Sequence, residues 1–430
     1  MVLTWRAVVL TALGIVPVLL SGDLGMVLVW TVAVAVVAGG DALLAASPRL
    51  LAIQRTVPRT VRLTERAQSV LVVTNESRRT VTGLVRDAWV PSAGALANRH
   101  RVSIPPGESR RLTTELVPTR RGDRRADRVT VRTLGPLGVA GRQASIPVPG
   151  VLRVLPEFAA RKHLPSRLAR LRELDGQAAV QIRGEGTEFD SLREYVIGDD
   201  VRSIDWRASA RRTEMVVRTW RPERDRRVLI VVDTARTSAA RIGDEPRLDA
   251  SIEAALLLGA LAAKAGDRVE LIAFDRTLRA RVAGAAGPRL LPALADAMAP
   301  LEPALLETDW PALVGLVRER LSQRALVVLL STAEPAALET GLLPVVEQLS
   351  SVHQVVLASV ADPDEAELAA QRETASEVFD AAAAARTELE RIAATMVLSR
   401  RGVEVVSALP DDLAPRLADM YLSLKAAGRL

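Results

Sequence analysis

The densest chemistry in the chain lies at residues 187–212, TEFDSLREYVIGDDVRSIDWRASARR, where Glu188, Asp190, Glu194, Asp199, Asp200 and Asp205 are interleaved with Arg193, Arg202, Arg207, Arg211 and Arg212. Paired carboxylates perform general acid and base work when one of them is kept protonated. Here no histidine, cysteine or evident nucleophile accompanies them, and neighbouring guanidinium groups favour the ionised form. The pattern therefore reads first as a structural arginine–carboxylate clasp, then as a docking surface for a partner, and last as the acid pair of a membrane-associated hydrolase or transferase. Ser191 to Val196 is expected to make a helical turn closed by Gly198, with Asp199 or Asp200 capping the next turn. Phe189, Tyr195, Ile204 and Trp206 are expected to anchor the segment against a core.

Little other reactive chemistry is on offer. The chain has no cysteine, which removes disulfides, thiol nucleophiles and thiolate metal sites. His100, His163 and His353 are too far apart in sequence for a local metal cluster. The formal charge of +6 is carried almost wholly by arginine, since lysine occurs only at Lys162, Lys264 and Lys425. No binding motif or aromatic stacking platform accompanies that charge, which argues against nucleic acid as a partner. A run, Arg120-Arg121-Gly122-Asp123-Arg124-Arg125, reads first as an exposed basic loop and second as a phosphate or lipid site.

The elements that must position the central segment fall into four expected regions. Residues 1–48 form a transmembrane helical hairpin: uncharged runs at 7–22 and 24–40 flank Asp23, and a second apolar run argues against a secretory signal. Arg6 precedes the hairpin, while Arg49, Arg55, Arg59, Arg62 and Arg66 follow it. The positive-inside rule then predicts a multi-pass protein of the inner, cytoplasmic membrane with both termini and the soluble body cytoplasmic. Lipid is thus an expected partner, its anionic headgroups facing the arginine surplus. Residues 49–156 alternate over short Val- and Thr-rich stretches (59–64, 68–74, 80–88, 109–118, 127–133, 150–155) and predict a small antiparallel β-sandwich. Residues 157–226 are a charged connecting segment. Residues 227–430 alternate apolar strands (227–233, 268–274, 325–331, 353–360, 402–407) with helices (246–264, 288–298, 309–322, 335–350, 364–397, 411–426), a doubly wound α/β pattern with an antiparallel edge strand near 277–283. In such sheets ligands sit past the carboxyl end of the first strand, here Asp233-Thr234-Ala235-Arg236-Thr237-Ser238.

The run FDSLREYVIGDDVRSIDWRASAR, followed by the strand Arg227 to Asp233, closely resembles the signature of the bacterial domain-of-unknown-function 58 family. The motif residues carried over are Asp190, Arg193, Tyr195, Gly198, Asp199, Asp200, Arg202, Asp205, Trp206 and Arg207. One departure is visible at Thr133-Leu134-Gly135-Pro136-Leu137-Gly138, where relatives tend to carry Asp-Pro-Phe-Gly. The resemblance implies a membrane-anchored protein with a von Willebrand A-like domain, commonly encoded beside a MoxR-type AAA+ ATPase. It also implies a metal-ion-dependent adhesion loop, Asp-x-Ser-x-Ser, completed by a distant threonine and aspartate. Asp233 and Thr237 match, and Thr308 fits the distant threonine; Ala235 replaces a serine, and Ser331 to Glu334 stand where the second acid belongs. A degenerate site follows, with weak Mg2+ binding or no cofactor at all, unless Glu334 reaches in. Otherwise Asp233 and Thr237 bond loop amides and Thr308 caps the next helix. The implied function is a non-enzymatic adaptor that presents protein surfaces at the membrane.

Overall fold

Three helices open the chain: α1 (Trp5–Leu13), α2 (Ile15–Ser21) and α3 (Gly25–Leu44). They belong to a computed structural model that describes residues 1–181, 188–211, 214–221, 226–333 and 341–430. Helix α3 is long and apolar enough to cross a membrane; its 20 residues span about 30 Å, the thickness of a hydrocarbon core. The first apolar run is shorter and is broken at Gly14, between α1 and α2. There the Leu10 carbonyl accepts a hydrogen bond from the Trp30 indole of α3 at 3.1 Å, so the break leaves it paired.

Chain contacts gather into two units, Met1–Glu157 and Phe158–Leu430. In the first, the expected sandwich is present. One sheet runs β1 (Val2–Leu3), β10 (Ala140–Leu155), β9 (Gly122–Leu134), β5 (Val81–Ala88), β7 (Arg99–Ile104), with β3 (Thr60–Arg62) beside β10. The other runs β2 (Leu51–Thr56), β4 (Ala67–Asn75), β8 (Ser109–Leu116), β6 (Ala95–Leu96). Burial alternates residue by residue along β4 and β5, and Leu71, Val73, Val85, Val129 and Val131 fill the space between the sheets.

The junction between helices and sandwich is made by polar groups. Asp41, at the base of α3, is buried, and its carboxylate accepts the N–H groups of Leu137, Val139 and Ala140, each at 2.8 Å. The turn that lacks the acid expected of its relatives receives one from the helix. Gly135 permits this approach, because a Cβ there would lie 2.2 Å from the carbonyl and carboxylate oxygens of Asp41. On the other side of the same turn, the Thr4 hydroxyl donates to the Gly138 carbonyl at 2.7 Å, and β1 pairs with β10. The chain leaves the sandwich and returns to it at one place.

The second unit is built on a sheet in the order β17 (Leu278–Val282), β16 (Arg268–Phe274), β13 (Arg227–Asp233), β18 (Leu326–Leu330), β19 (Gln354–Val360), β20 (Val403–Ala408), parallel except at β17. Strands β18 and β19 are buried throughout, as strands covered on both faces must be. Val228, Ile230 and Val232 join a core with α6 (Arg247–Lys264), α7 (Leu290–Met298) and α12 (Pro410–Ala426). Leu229 and Val231 join another with α8 (Trp310–Arg320), α9 (Leu343–Ser350) and the end of α11 (Ala375–Arg400). The helix expected over 364–397 is two, α10 (Pro363–Ala370) and α11, because Thr374 and Glu377 form a capping box that starts a new helix. In the expected connecting segment, helix α4 (Leu164–Gln181) packs with the second unit through Leu171, which shares the core of α6 and α12.

Candidate functional site

The central motif folds as a two-stranded antiparallel ribbon, β11 (Glu188–Glu194) against β12 (Val216–Arg221), with a 3-10 turn at Val201–Ser203 and the short helix α5 (Trp206–Ser209) between them. The expected helical turn over Ser191–Val196 is therefore a correction: Ser191 to Glu194 pair with Val216 to Thr219, and that long-range pairing overrides local helix preference. Asp190 lies on β11 with its side chain outside the described residues, as is that of Phe189.

Asp199, Asp200 and Asp205 each have an assigned task. Asp199 receives both terminal nitrogens of Arg193, at 2.7 and 2.5 Å, and the Val196 N–H at 2.9 Å. The Arg193 guanidinium, with that amide, holds the Asp199 carboxyl down at about 2. Gly198, at φ +113°, turns the chain so that Asp199 can face back to Arg193. Asp200 caps the 3-10 turn through the Arg202 N–H at 2.9 Å, as expected. Asp205 caps α5 through the Arg207 and Ala208 N–H groups and accepts from Arg218 Nε at 2.8 Å; the Ala208 amide first, then Arg218, lowers its pKa. The clasp is formed by Arg193 and Arg218, while Arg202 and Arg207 contribute backbone amides and leave their side chains exposed. Carboxylates held ionised in this way have no proton to donate near neutral pH.

Of the expected anchors, Trp206 departs from the expectation. Ile204 is buried and Tyr195 half-buried, but Trp206 is 67% exposed. Ile197 is 97% exposed, and Val196, Val201 and Met215 are also exposed. Asp199 and Asp205 are thus paired with Arg193 and Arg218 within the motif, while Val196, Ile197, Val201, Trp206 and Met215 are exposed.

Asp205→Ala removes the α5 cap and the Arg218 partner together, so the ribbon is expected to unfold at a lower temperature than wild type, followed by Trp206 emission. Because Asp199 and Asp205 are both shifted down from 3.8, their contribution to stability is present above that value and fades as pH falls below it, for Asp199 through about 2.

At the top of the parallel sheet, where strand order reverses around β13, the second cluster assembles. Asp233 is buried, and its carboxylate accepts the hydroxyls of Thr308 at 3.0 Å, Thr237 at 3.2 Å and Ser331 at 2.6 Å, with the Ala235 N–H at 2.9 Å. Burial pushes the Asp233 carboxyl up, against the pull of those four donors. All three expected residues meet. Thr308 does not cap the following helix; Asp309 does, through the Ala312 N–H at 3.0 Å. Ser331, read from sequence as the place of a missing acid, supplies a third hydroxyl. Glu334 lies outside the described residues. The donor set is one carboxylate and three hydroxyls, and no group of three His, Asp or Glu that could hold a metal ion occurs among the described residues.

Residues 191–404 match the model of a family described as "Protein of unknown function DUF58". Over that span the chain belongs to the DUF58 family. The DUF58 region takes in most of the ribbon and the sheet with its Asp233 cluster. Uncharacterized proteins of Mycobacterium tuberculosis (Rv1480) and Mycobacterium bovis (Mb1516) are each 25% identical over 197 residues, which is 45% of this chain. The match spans 61% of the length of those relatives. Among solved structures, the CARDB domain of a Pyrococcus furiosus protein is 18% identical, with 26% of this chain and 91% of that one covered and a TM-score of 0.19. A FixG-related protein from Vibrio parahaemolyticus is 10% identical, with 24% and 96% covered and a TM-score of 0.19.

Proposed function

We propose that this protein is a membrane-tethered, non-enzymatic adaptor whose central ribbon is the surface offered to a protein partner, a MoxR-type AAA+ ATPase acting on cell-envelope complexes. The observation that carries this reading is the exposure within the motif: Asp199 and Asp205 are taken up by Arg193, Arg218 and backbone amides, while Val196, Ile197, Val201, Trp206 and Met215 stand in solvent. Clustered exposed apolar side chains with a tryptophan among them suit a protein interface.

The tether is the hairpin of α1, α2 and α3, crossing the inner membrane twice with the soluble body cytoplasmic. Its support is the common docking point of Thr4 and Asp41 on the 135–140 turn, which brings both ends to the same side, and the arginines that follow Leu44. The second unit is read as a von Willebrand A-like domain, on the strength of its strand order and the placement of Asp233, Thr237 and Thr308. In this reading the Asp233 cluster is a hydrogen-bonded brace for the sheet-top loops and has no resident metal.

Affinity purification of the full chain from membranes is expected to recover the ATPase in a nucleotide-sensitive manner. Ile197→Asp combined with Trp206→Ala is expected to abolish recovery without lowering the unfolding temperature. Equal recovery by the variant would remove the ribbon from the interface.

A further inference from the structure

The base of the hairpin carries an arrangement that neither the sandwich nor the ribbon uses. Arg142 donates through Nε to the Ala42 carbonyl at 2.9 Å and through Nη2 to that of Leu43 at 3.3 Å. Arg79 donates to the Leu44 carbonyl at 2.9 Å, and Arg6 to the Leu137 carbonyl at 2.9 Å. These guanidinium groups close the end of α3 and its docking turn, where positive charge is favoured. None of the three has a carboxylate partner among the described residues: Asp41 is engaged by backbone amides, and the exposed Glu76 meets this region through its N–H on the Leu50 carbonyl. Each bond uses only part of the donor set of a guanidinium. Around them, Leu3, Trp5, Leu43, Leu44, Leu50 and Leu137 are all at least half exposed.

We propose that Arg6, Arg79 and Arg142 form a binding collar for the phosphate of anionic lipid headgroups, with the leucines and Trp5 seated among the adjoining acyl chains. The proposal rests on the membrane reading of α1 to α3 and adds to it a lipid class and the residues that select it. Arginine forks match phosphate oxygens, and an uncompensated cationic ring bordered by apolar side chains matches the level where headgroup meets acyl chain. Each near-surface arginine strengthens attraction to anionic lipid about fivefold, so the three together give a preference of about a hundredfold.

The test uses the full chain in zwitterionic detergent, titrated with short-chain phosphatidylglycerol, short-chain phosphatidylcholine or inorganic phosphate, with bound lipid read by native mass spectrometry. Retention of phosphatidylglycerol over phosphatidylcholine by at least about tenfold is expected. Arg6→Gln, Arg79→Gln and Arg142→Gln together should erase that preference, the three corresponding lysine substitutions should keep most of it, and Arg289→Gln in the second unit should leave it unchanged. Equal retention of the two lipids overturns the collar, as does displacement of phosphatidylglycerol by equimolar inorganic phosphate, which would mark a free-phosphate site. If the glutamine variant unfolds, the lysine variant and the lipid comparison on wild type still decide. Flotation with phosphatidylcholine vesicles separates the two readings: wild type that fails to float contradicts the tether itself, whereas wild type that floats without a lipid preference contradicts the collar alone.

Discussion

Asp41→Ala is expected to undock the hairpin from the sandwich and to be among the most damaging single substitutions in the first unit. Three N–H groups, of Leu137, Val139 and Ala140, lose their acceptor at once. A buried donor left unpaired costs about 1–3 kcal/mol; with the Val139 and Ala140 donors buried and that of Leu137 part-buried, the loss should be about 2–6 kcal/mol, at the upper end of single-substitution effects. Asp41→Asn keeps one acceptor oxygen and should fall between wild type and alanine. Gly135→Ala offers an independent route to the same phenotype, because its Cβ would collide with the Asp41 carbonyl and carboxylate. Thermal unfolding of the full chain in detergent, with proteolysis across residues 133–142, measures all three. A wild-type melting profile for Asp41→Ala would show that the carboxylate is not what fastens the helix.

The second large effect is expected across the sandwich. Arg55 on β2 and Asp87 on β5 belong to opposite sheets, are almost wholly buried and pair at 2.5 Å. Asp87 also accepts from the Ser69 hydroxyl at 2.8 Å and the Trp89 indole at 3.0 Å. Arg55 reaches the carbonyls of Ala126 and Val148 and lies 5.3 Å from the centre of the Trp89 ring. Asp87→Ala strands a buried guanidinium and should cost about 3–5 kcal/mol. Replacing both partners by apolar residues, Arg55→Met with Asp87→Leu, removes the stranded charge and should cost much less than the sum of the single changes. Denaturant unfolding of the four proteins measures the coupling. Additive effects would mean that the pair does not act as one bolt between the sheets.

Neither the Asp41 anchor nor the Arg55–Asp87 pair is legible in the local sequence. Asp41 reads as an acid tolerated near a membrane interface, and nothing local shows that a turn nearly a hundred residues away needs its oxygens. Arg55 reads as one of several arginines that follow the hairpin. The parallel sheet was far more legible, because strands such as Leu326–Leu330 and Gln354–Val360 are buried on both faces and so are apolar without interruption. In the sandwich, alternation marked Ala67–Asn75 and Val81–Ala88, but Arg99–Ile104 was missed because arginines at 99 and 101 break up its apolar pattern. The ribbon was misread at Ser191–Val196 since its partner strand lies more than twenty residues on, beyond any local window. Trp206 departs for a different reason: aromatic type argues for burial on average, and this side chain is 67% exposed. At the sheet top, the meeting of Asp233, Thr237 and Thr308 is what the resemblance to the family's adhesion loop implies, whereas Ser331 stands where that loop's second acid belongs and does not read as a donor.

The most direct measurement of the adaptor reading is site-specific photocrosslinking from position 197 in the full chain, carried in native membranes, with position 289 as a control in the same unit. The account predicts a discrete adduct between residue 197 and the MoxR-type ATPase, changed in yield by nucleotide and absent from residue 289. An Ile197 probe that labels only lipid, solvent or its own chain under all nucleotide conditions would contradict it.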